Sequence, residues 1–319
     1  MPVRQVARAF APASVANLSC GFDVLGLALA GMGDHVRATR LPEPGVRLNK
    51  ITGDGGRLSC SAQENTAGVA VKALLARHAP SMGVGLELHK GLPLESGLGS
   101  SAASAAAAVV AAAALLETPP APVDLLACAL EGERLAAGSG HADNASLNGG
   151  LILVRGGQPP DVISLPIPKG MSCGVVCPGL QVATGPARAL MGREIPLERA
   201  VVQWGNLAGL VSGLYCGDWE RISRCLVDVI AERVRSRHIP GFSAARRAAL
   251  DGGAVGCGLA GSGPAMFVLC RNLEDAERAS LAMSRVLEQA TKTSCARLVC
   301  GVGAPGARLI SAEEDPCSG

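Results

Sequence analysis

Between Gly97 and Leu116 the chain reads GLGSSAASAAAAVVAAAALL, 20 residues without a charge. Twenty is the nominal length for crossing a bilayer as a helix. The composition argues against that use. Alanine is only weakly apolar, three serines and two glycines open the segment, and no basic or aromatic residues flank it as interfacial anchors. Alanine has the best helix propensity and a side chain small enough for close packing, so the stretch predicts a buried helix. It carries no turn residue from Ala102 to Leu116 and then meets the break TPPAP at Thr118.

What precedes this helix decides what it serves. GLGSSA fits the pattern G-x-G-x-x-A of a dinucleotide-binding turn, and Glu117 lies 20 residues after Gly97, where a ribose-binding acid could sit. That fingerprint needs a turn and a second strand between glycines and acid, and the alanine run leaves room for neither. A phosphate-binding loop fits better. VGLELHKGLP (Val84 to Pro93) alternates and then stops, as a strand handing over to a loop would. Gly97 and Gly99 allow a tight turn and close approach of backbone to an anion. Ser100 and Ser101 then open the helix at the positive end of its dipole. No Gly-Lys-Ser/Thr follows, so this is not a Walker A loop.

The remaining bulk properties narrow the class. A chain of 319 residues can form one large domain or two ordinary ones. Hydrophobic residues make up 48%, yet the aromatics are only Phe 4, Trp 2 and Tyr 1, so alanine, valine and leucine must fill the core. The net charge of +2, without a basic run, gives no reason to expect nucleic acid. Twelve cysteines are scattered; Cys173 and Cys177 lack the spacing and second pair of a zinc site. They read as free thiols of a reducing compartment, which implies the cytoplasm. No apolar run precedes Asp23, so neither a signal peptide nor a membrane anchor is expected.

Three further stretches accompany the loop. APASVANLSCGFDVLGLAL (Ala11 to Leu29) sets Asn17 and Asp23 around a Ser-Cys-Gly turn, which alone could be an ordinary turn between strands. EGERLAAGSGHADNASLNGG (Glu131 to Gly150) ends a charged helix near Gly138 and crowds His141, Asp143 and Asn144 into a polar segment. GAVGCGLAGSGPAMFVLC (Gly253 to Cys270) holds a second glycine-serine loop, Gly258 to Pro264, before an apolar strand.

PLESGLGSSAAS resembles the central phosphate motif of the GHMP small-molecule kinases, and the Ala11 and Gly258 stretches are similar to that family's first and third motifs. SVAN, CGFDVLG and HADN resemble the homoserine kinase variants of those motifs. The likeness runs from about Ala11 to Ile310. It implies an α+β fold of two domains: an N-terminal ATP-binding one like ribosomal-protein S5 (1–165) and a ferredoxin-like C-terminal one (166–319). RGGQPPDVISLPIPKG, Arg155 to Gly170, is the boundary region.

The same resemblance implies ATP and Mg²⁺ as cofactors, L-homoserine as the small-molecule acceptor, no nucleic acid or membrane partner, and a possible homodimer. ATP phosphates would lie on Pro93, Leu94, Glu95, Ser96, Gly97, Leu98, Gly99, Ser100 and Ser101, with Asn65 on the adenine side. Ser100 or Ser101 and Glu133, eight residues before His141, would hold the metal. Asp23 would pair with the acceptor's ammonium beside Asn17 and His141, Arg188 and Arg235 would clamp its carboxylate, and Thr184 would also contact the acceptor. Asn144, with His141 and Asn17, would orient the reacting hydroxyl without acting as a strong base.

Two departures stand out. Ser19-Cys20 replaces a common Gly-Pro, and Arg233 replaces a proline, which leaves Arg233 and Arg235 as rival clamps; spacing to IPGF favours Arg235. A different small alcohol as acceptor, or a catalytically silent sensor, are the competing readings. The two arginines with Asp23 argue against the first, and the intact loop with Glu133 against the second.

Overall fold

The computed structural model describes residues 4–137, 145–157, 160–180 and 194–316. The first sheet contains β1 (Val6–Ala16), β2 (Leu25–Leu41), β3 (Gly45–Thr52), β4 (Gly83–His89), β5 (Leu151–Arg155) and β6 (Asp161–Leu165). The second is built from β7 (Ser172–Pro178), β8 (Gly256–Leu259), β9 (Met266–Cys270) and β10 (Cys295–Gly301). A last strand, β11 (Arg308–Leu309), returns to the first sheet beside β1. β3 and β4 run parallel; the other pairings are antiparallel. Together with the helices this is the α+β class expected.

Three helices, α1 (Thr66–His78), α2 (Ser100–Ala113) and α3 (Pro122–Ala137), pack together with the first sheet. α2 is the alanine-rich segment, and it is buried on nearly every side. Small side chains permit this. At Gly132 of α3 even a methyl group would lie 2.5 Å from the Thr66 carbonyl oxygen and 3.3 Å from the Ala105 Cβ. The helices therefore meet almost backbone to backbone, which a leucine-rich α2 would prevent. The helix ends at Ala113, before the break read from the prolines, because residues 114–118 form turns. Among the described residues no helix is long and apolar enough to cross a membrane.

A short α4 (Ala145–Asn148) precedes β5. Two helices, α5 (Leu197–Cys216) and α6 (Trp219–Cys225), pack against each other, and α7 (Glu232–Arg235) is a single turn. α8 (Phe242–Asp251) and α9 (Leu273–Thr291) cover the second sheet over a core that includes Met266, Val268 and Met283. β6 closes the first sheet at Leu165 and β7 opens the second at Ser172. A cut at 165/166 would leave β11 on the wrong side, because Arg308 and Leu309 pair with Phe10 and Ala9.

Candidate active site

The loop after β4 carries three residues in the left-handed region, Glu95 (φ 55°), Gly97 (φ 85°) and Gly99 (φ 66°). Alternating left-handed residues are the backbone pattern of an anion-binding concavity. Ser96 ties the loop internally, its Oγ donating to the Pro93 carbonyl (2.9 Å) and accepting from Leu98 N–H (3.4 Å). Gly99 caps α2 without any side-chain hydrogen bond, so the first N–H groups of a 14-residue helix face the loop uncapped. An anion is the natural partner for such a terminus.

The second glycine-serine loop packs onto the first. Ala265 N–H donates to Ser96 O at 3.1 Å, and a methyl group at Gly97 would overlap the Ala260 carbonyl oxygen. A Gly97→Ala variant therefore meets both a clash and an unfavourable φ. We expect it to lose about 2–3 kcal/mol of stability and to bind ATP weakly, read by thermal unfolding and calorimetry.

The same loop holds the third element of the site. Gly261 N–H donates to Ala16 O (3.1 Å), and its carbonyl accepts from Asn17 Nδ2 (2.9 Å) and from Arg235 Nη1 (3.0 Å). Asn17 Oδ1 in turn accepts the Asp23 N–H at 3.0 Å. Arg235 is 6% exposed and stands 5.3 Å over the Phe22 ring, whereas Arg233 is exposed. Of the two rival arginines, Arg235 is thus the one turned inward. Asn17, Ser19, Glu232, Arg235 and Gly261 border a small pocket of about 10 Å³, room for about one water molecule.

On α3 the acid of interest is Glu133, which is 1% exposed and whose Oε2 accepts the Ser101 hydroxyl at 3.2 Å. Thr66 Oγ1 donates to Ser101 O (3.3 Å), so the start of α1 lies against the start of α2. Asn65 caps α1, its Oδ1 accepting Ala67 N–H (3.1 Å) and its Nδ2 donating to Ser59 O (3.2 Å). One amide hydrogen and one lone pair of Asn65 remain beyond these two bonds.

The chain matches the family models "GHMP kinases N terminal domain" over residues 65–150 and "GHMP kinases C terminal" over 208–289. A homoserine kinase of Chlorobium phaeobacteroides is 45% identical over 86% of this chain and 90% of its own. One from Chloroherpeton thalassium is 42% identical over 94% and 98%. The crystal structure of homoserine kinase from Cytophaga hutchinsonii superposes with a TM-score of 0.91, at 42% identity over 97% of this chain and 99% of that one. The chain belongs to the homoserine kinase family of GHMP kinases.

Within that family the departures find physical meaning. Ser19 takes φ 58°, a region glycine enters freely, and its buried Oγ has no hydrogen-bond partner among the described residues. The turn keeps the glycine-like backbone despite the serine. Asn17, Leu18, Ser19 and Asp23 all have positive φ, a concentration of strain that suits a functional loop. His141, Asn144, Thr184 and Arg188, named from the sequence, lie outside the described residues.

Other contributors had no sequence signal strong enough to single them out. Gln203 of α5 donates to Cys20 O (2.9 Å) and accepts Val229 N–H (3.0 Å), joining the first loop to the segment before α7. Asp228 accepts from Ile230, Ala231 and Glu232 N–H groups, fixing the turn that presents Arg235. An aspartate just before a short charged helix is a capping signal, and it is the one clue the sequence offers.

Burial lifts the Glu232 carboxyl to about 7, even with Arg246 Nη1 2.6 Å from its Oε1. With a folded-state value above the ordinary one, the group favours folding while protonated. That contribution is whole below about pH 4.5 and lost as pH rises through about 7. It amounts to about 3 kcal/mol. A Glu232→Gln variant should therefore gain about 5 °C in Tm relative to its parent between pH 5 and pH 8. A pH-independent difference would mean the carboxylate stays charged throughout.

Proposed function

We propose that this chain transfers the γ-phosphoryl group of ATP to the side-chain hydroxyl of L-homoserine, giving ADP and O-phospho-L-homoserine, a step of threonine biosynthesis. The loop at Gly261 carries this reading. Through it the uncapped phosphate loop and the Asn17–Arg235 pair are held against one another. The relatives that match nearly the whole chain are homoserine kinases.

In this reading the N–H groups of residues 96–101 receive the phosphates. Among the described residues no cluster of three or more metal-ligating side chains occurs. The donors present beside the loop, Glu133 and the Ser101 hydroxyl, are oxygens, which suits a hard cation that takes one or two protein ligands and phosphate oxygens for the rest. Mg²⁺ held there would neutralise charge on the phosphates. Ser100 is the less favoured ligand, because its Oγ lies 3.5 Å from Leu92 O while Ser101 faces Glu133.

Arg235, with Arg188 and Thr184, would bind the acceptor's carboxylate; a planar guanidinium can bond both oxygens. Asp23 would take the ammonium, flanked by Asn17 and His141. The hydroxyl is then held in line by Asn144, which cannot accept its proton, so positioning and charge stabilisation carry the rate. An Asn144→Asp variant should be no faster than its parent. A large gain with a new acidic limb in the pH–rate profile would overturn the base-free reading.

The direct test is ADP release from Mg-ATP with L-homoserine, L-serine, mevalonate or galactose as acceptor. Release with homoserine alone supports the assignment. Release with another alcohol would overturn the reading of Asp23 and the arginines, and ATP binding without release would favour a sensor.

A further inference from the structure

Beneath the phosphate loop lies a buried ion pair. Lys90 follows β4 and Asp34 sits within β2; their side chains are 1% and 0% exposed. All three ammonium hydrogens have acceptors. Lys90 Nζ donates to an Asp34 carboxylate oxygen, to Ser100 O (2.7 Å) and to Ser104 Oγ (2.7 Å). Asp34 is equally engaged. Its Oδ2 also accepts the Ser104 hydroxyl (2.7 Å), and its Oδ1 accepts the N–H groups of Gly91 (3.1 Å) and Leu92 (3.2 Å).

The partners have a pattern. Gly91 and Leu92 are the residues by which the chain enters the loop at 93–99; Ser100 and Ser104 are on the first turns of the helix by which it leaves. One buried pair therefore holds both ends. Taking two charges out of water costs several kcal/mol, so such a pair is a poor device for stability alone. What it supplies is a fixed separation and orientation. The middle of the loop is held by the Ser96 bonds and by Ser14 N–H to Leu98 O and Ala265 N–H to Ser96 O (both 3.1 Å), while the buried pair ties its two ends to each other.

We propose that Lys90 and Asp34, with Ser104, are positioning residues for the phosphate loop, setting affinity for ATP without touching it. This inference rests on the kinase reading above. The pair's own hydrogen bonds reach β2, the end of β4 and α2; its link to the Asn17, Gly261 and Arg235 groups is indirect, through the phosphate loop, so the larger effect falls on the nucleotide.

The test compares Lys90→Met, Asp34→Asn and the milder Ser104→Ala with the parent, measuring KM for ATP, KM for homoserine, kcat and Tm. We expect KM for ATP to rise about tenfold or more in the first two and about threefold in Ser104→Ala. KM for homoserine should stay within about twofold. A purely structural pair would instead lower Tm while leaving both KM values unchanged, or raise them together; either result overturns the proposal. Should the charge variants fail to fold, Ser104→Ala decides the matter by the same criterion. Calorimetric titration with ATP separates this from the kinase reading. If the parent binds ATP but phosphorylates nothing, the kinase reading falls and the ATP Kd of parent and variants still tests the positioning role. If the parent does not bind ATP, both fall.

Discussion

A Glu133→Gln variant should lose about a thousandfold in turnover while folding normally. The substitution keeps size and the hydrogen bond to Ser101 but removes the negative charge from a side chain that is 1% exposed. A surface acid of α3 would tolerate that change. An acid that holds a cation against the phosphates would not, since losing one preorganised electrostatic contact typically costs ~10²–10³ in kcat. The decisive measurement is kcat as a function of Mg²⁺ concentration. The expected outcome is a higher Mg²⁺ requirement with only slight recovery at saturation. A variant with ordinary kcat and Mg²⁺ dependence would return Glu133 to the class of structural acids.

The second large effect is at Arg235. Its replacement by alanine should raise KM for homoserine about a hundredfold, with a smaller change in KM for ATP. Arg235→Lys should recover little, because an ammonium cannot bond a carboxylate through two parallel N–H groups. Arg233→Ala supplies the control: that side chain is exposed, and both constants should be unaltered. If instead Arg233→Ala carried the loss, the proline-to-arginine change would have rebuilt the clamp. Because Arg235 Nη1 also bonds Gly261 O, some loss of stability is expected with alanine and should be measured alongside.

The sequence is most informative where local chemistry fixes geometry. The alanine run can pack only as a thin buried helix, and glycines before it can only be a turn at its positive end; α2 and its uncapped start follow from that. The three loops are legible one at a time as turns between strands. Their convergence is not. Gly261 meets Asn17 across 244 residues of sequence and Lys90 meets Asp34 across 56, and nothing in composition or periodicity encodes such pairs. The end of α2 at Ala113 is equally hidden, because alanine tolerates helix and turn alike and the prolines that mark a break lie further on. β11 escapes notice because two residues carry no alternation to read.

That last strand bears on the order of events in the cell. Arg308 and Leu309 close the edge of a sheet whose other strands end by Leu165, and Arg8 is bonded to Asp315 at 2.9 Å. During synthesis the ATP-binding half emerges first but has an open flank until nearly everything else has been made. Until then the β1 edge is a strand-pairing surface exposed to neighbouring nascent chains. A ribosome stalled after residue 300 would thus present a half-built kinase with a sticky border, and chaperone occupancy of that intermediate should fall once residues 302–315 have left the exit tunnel.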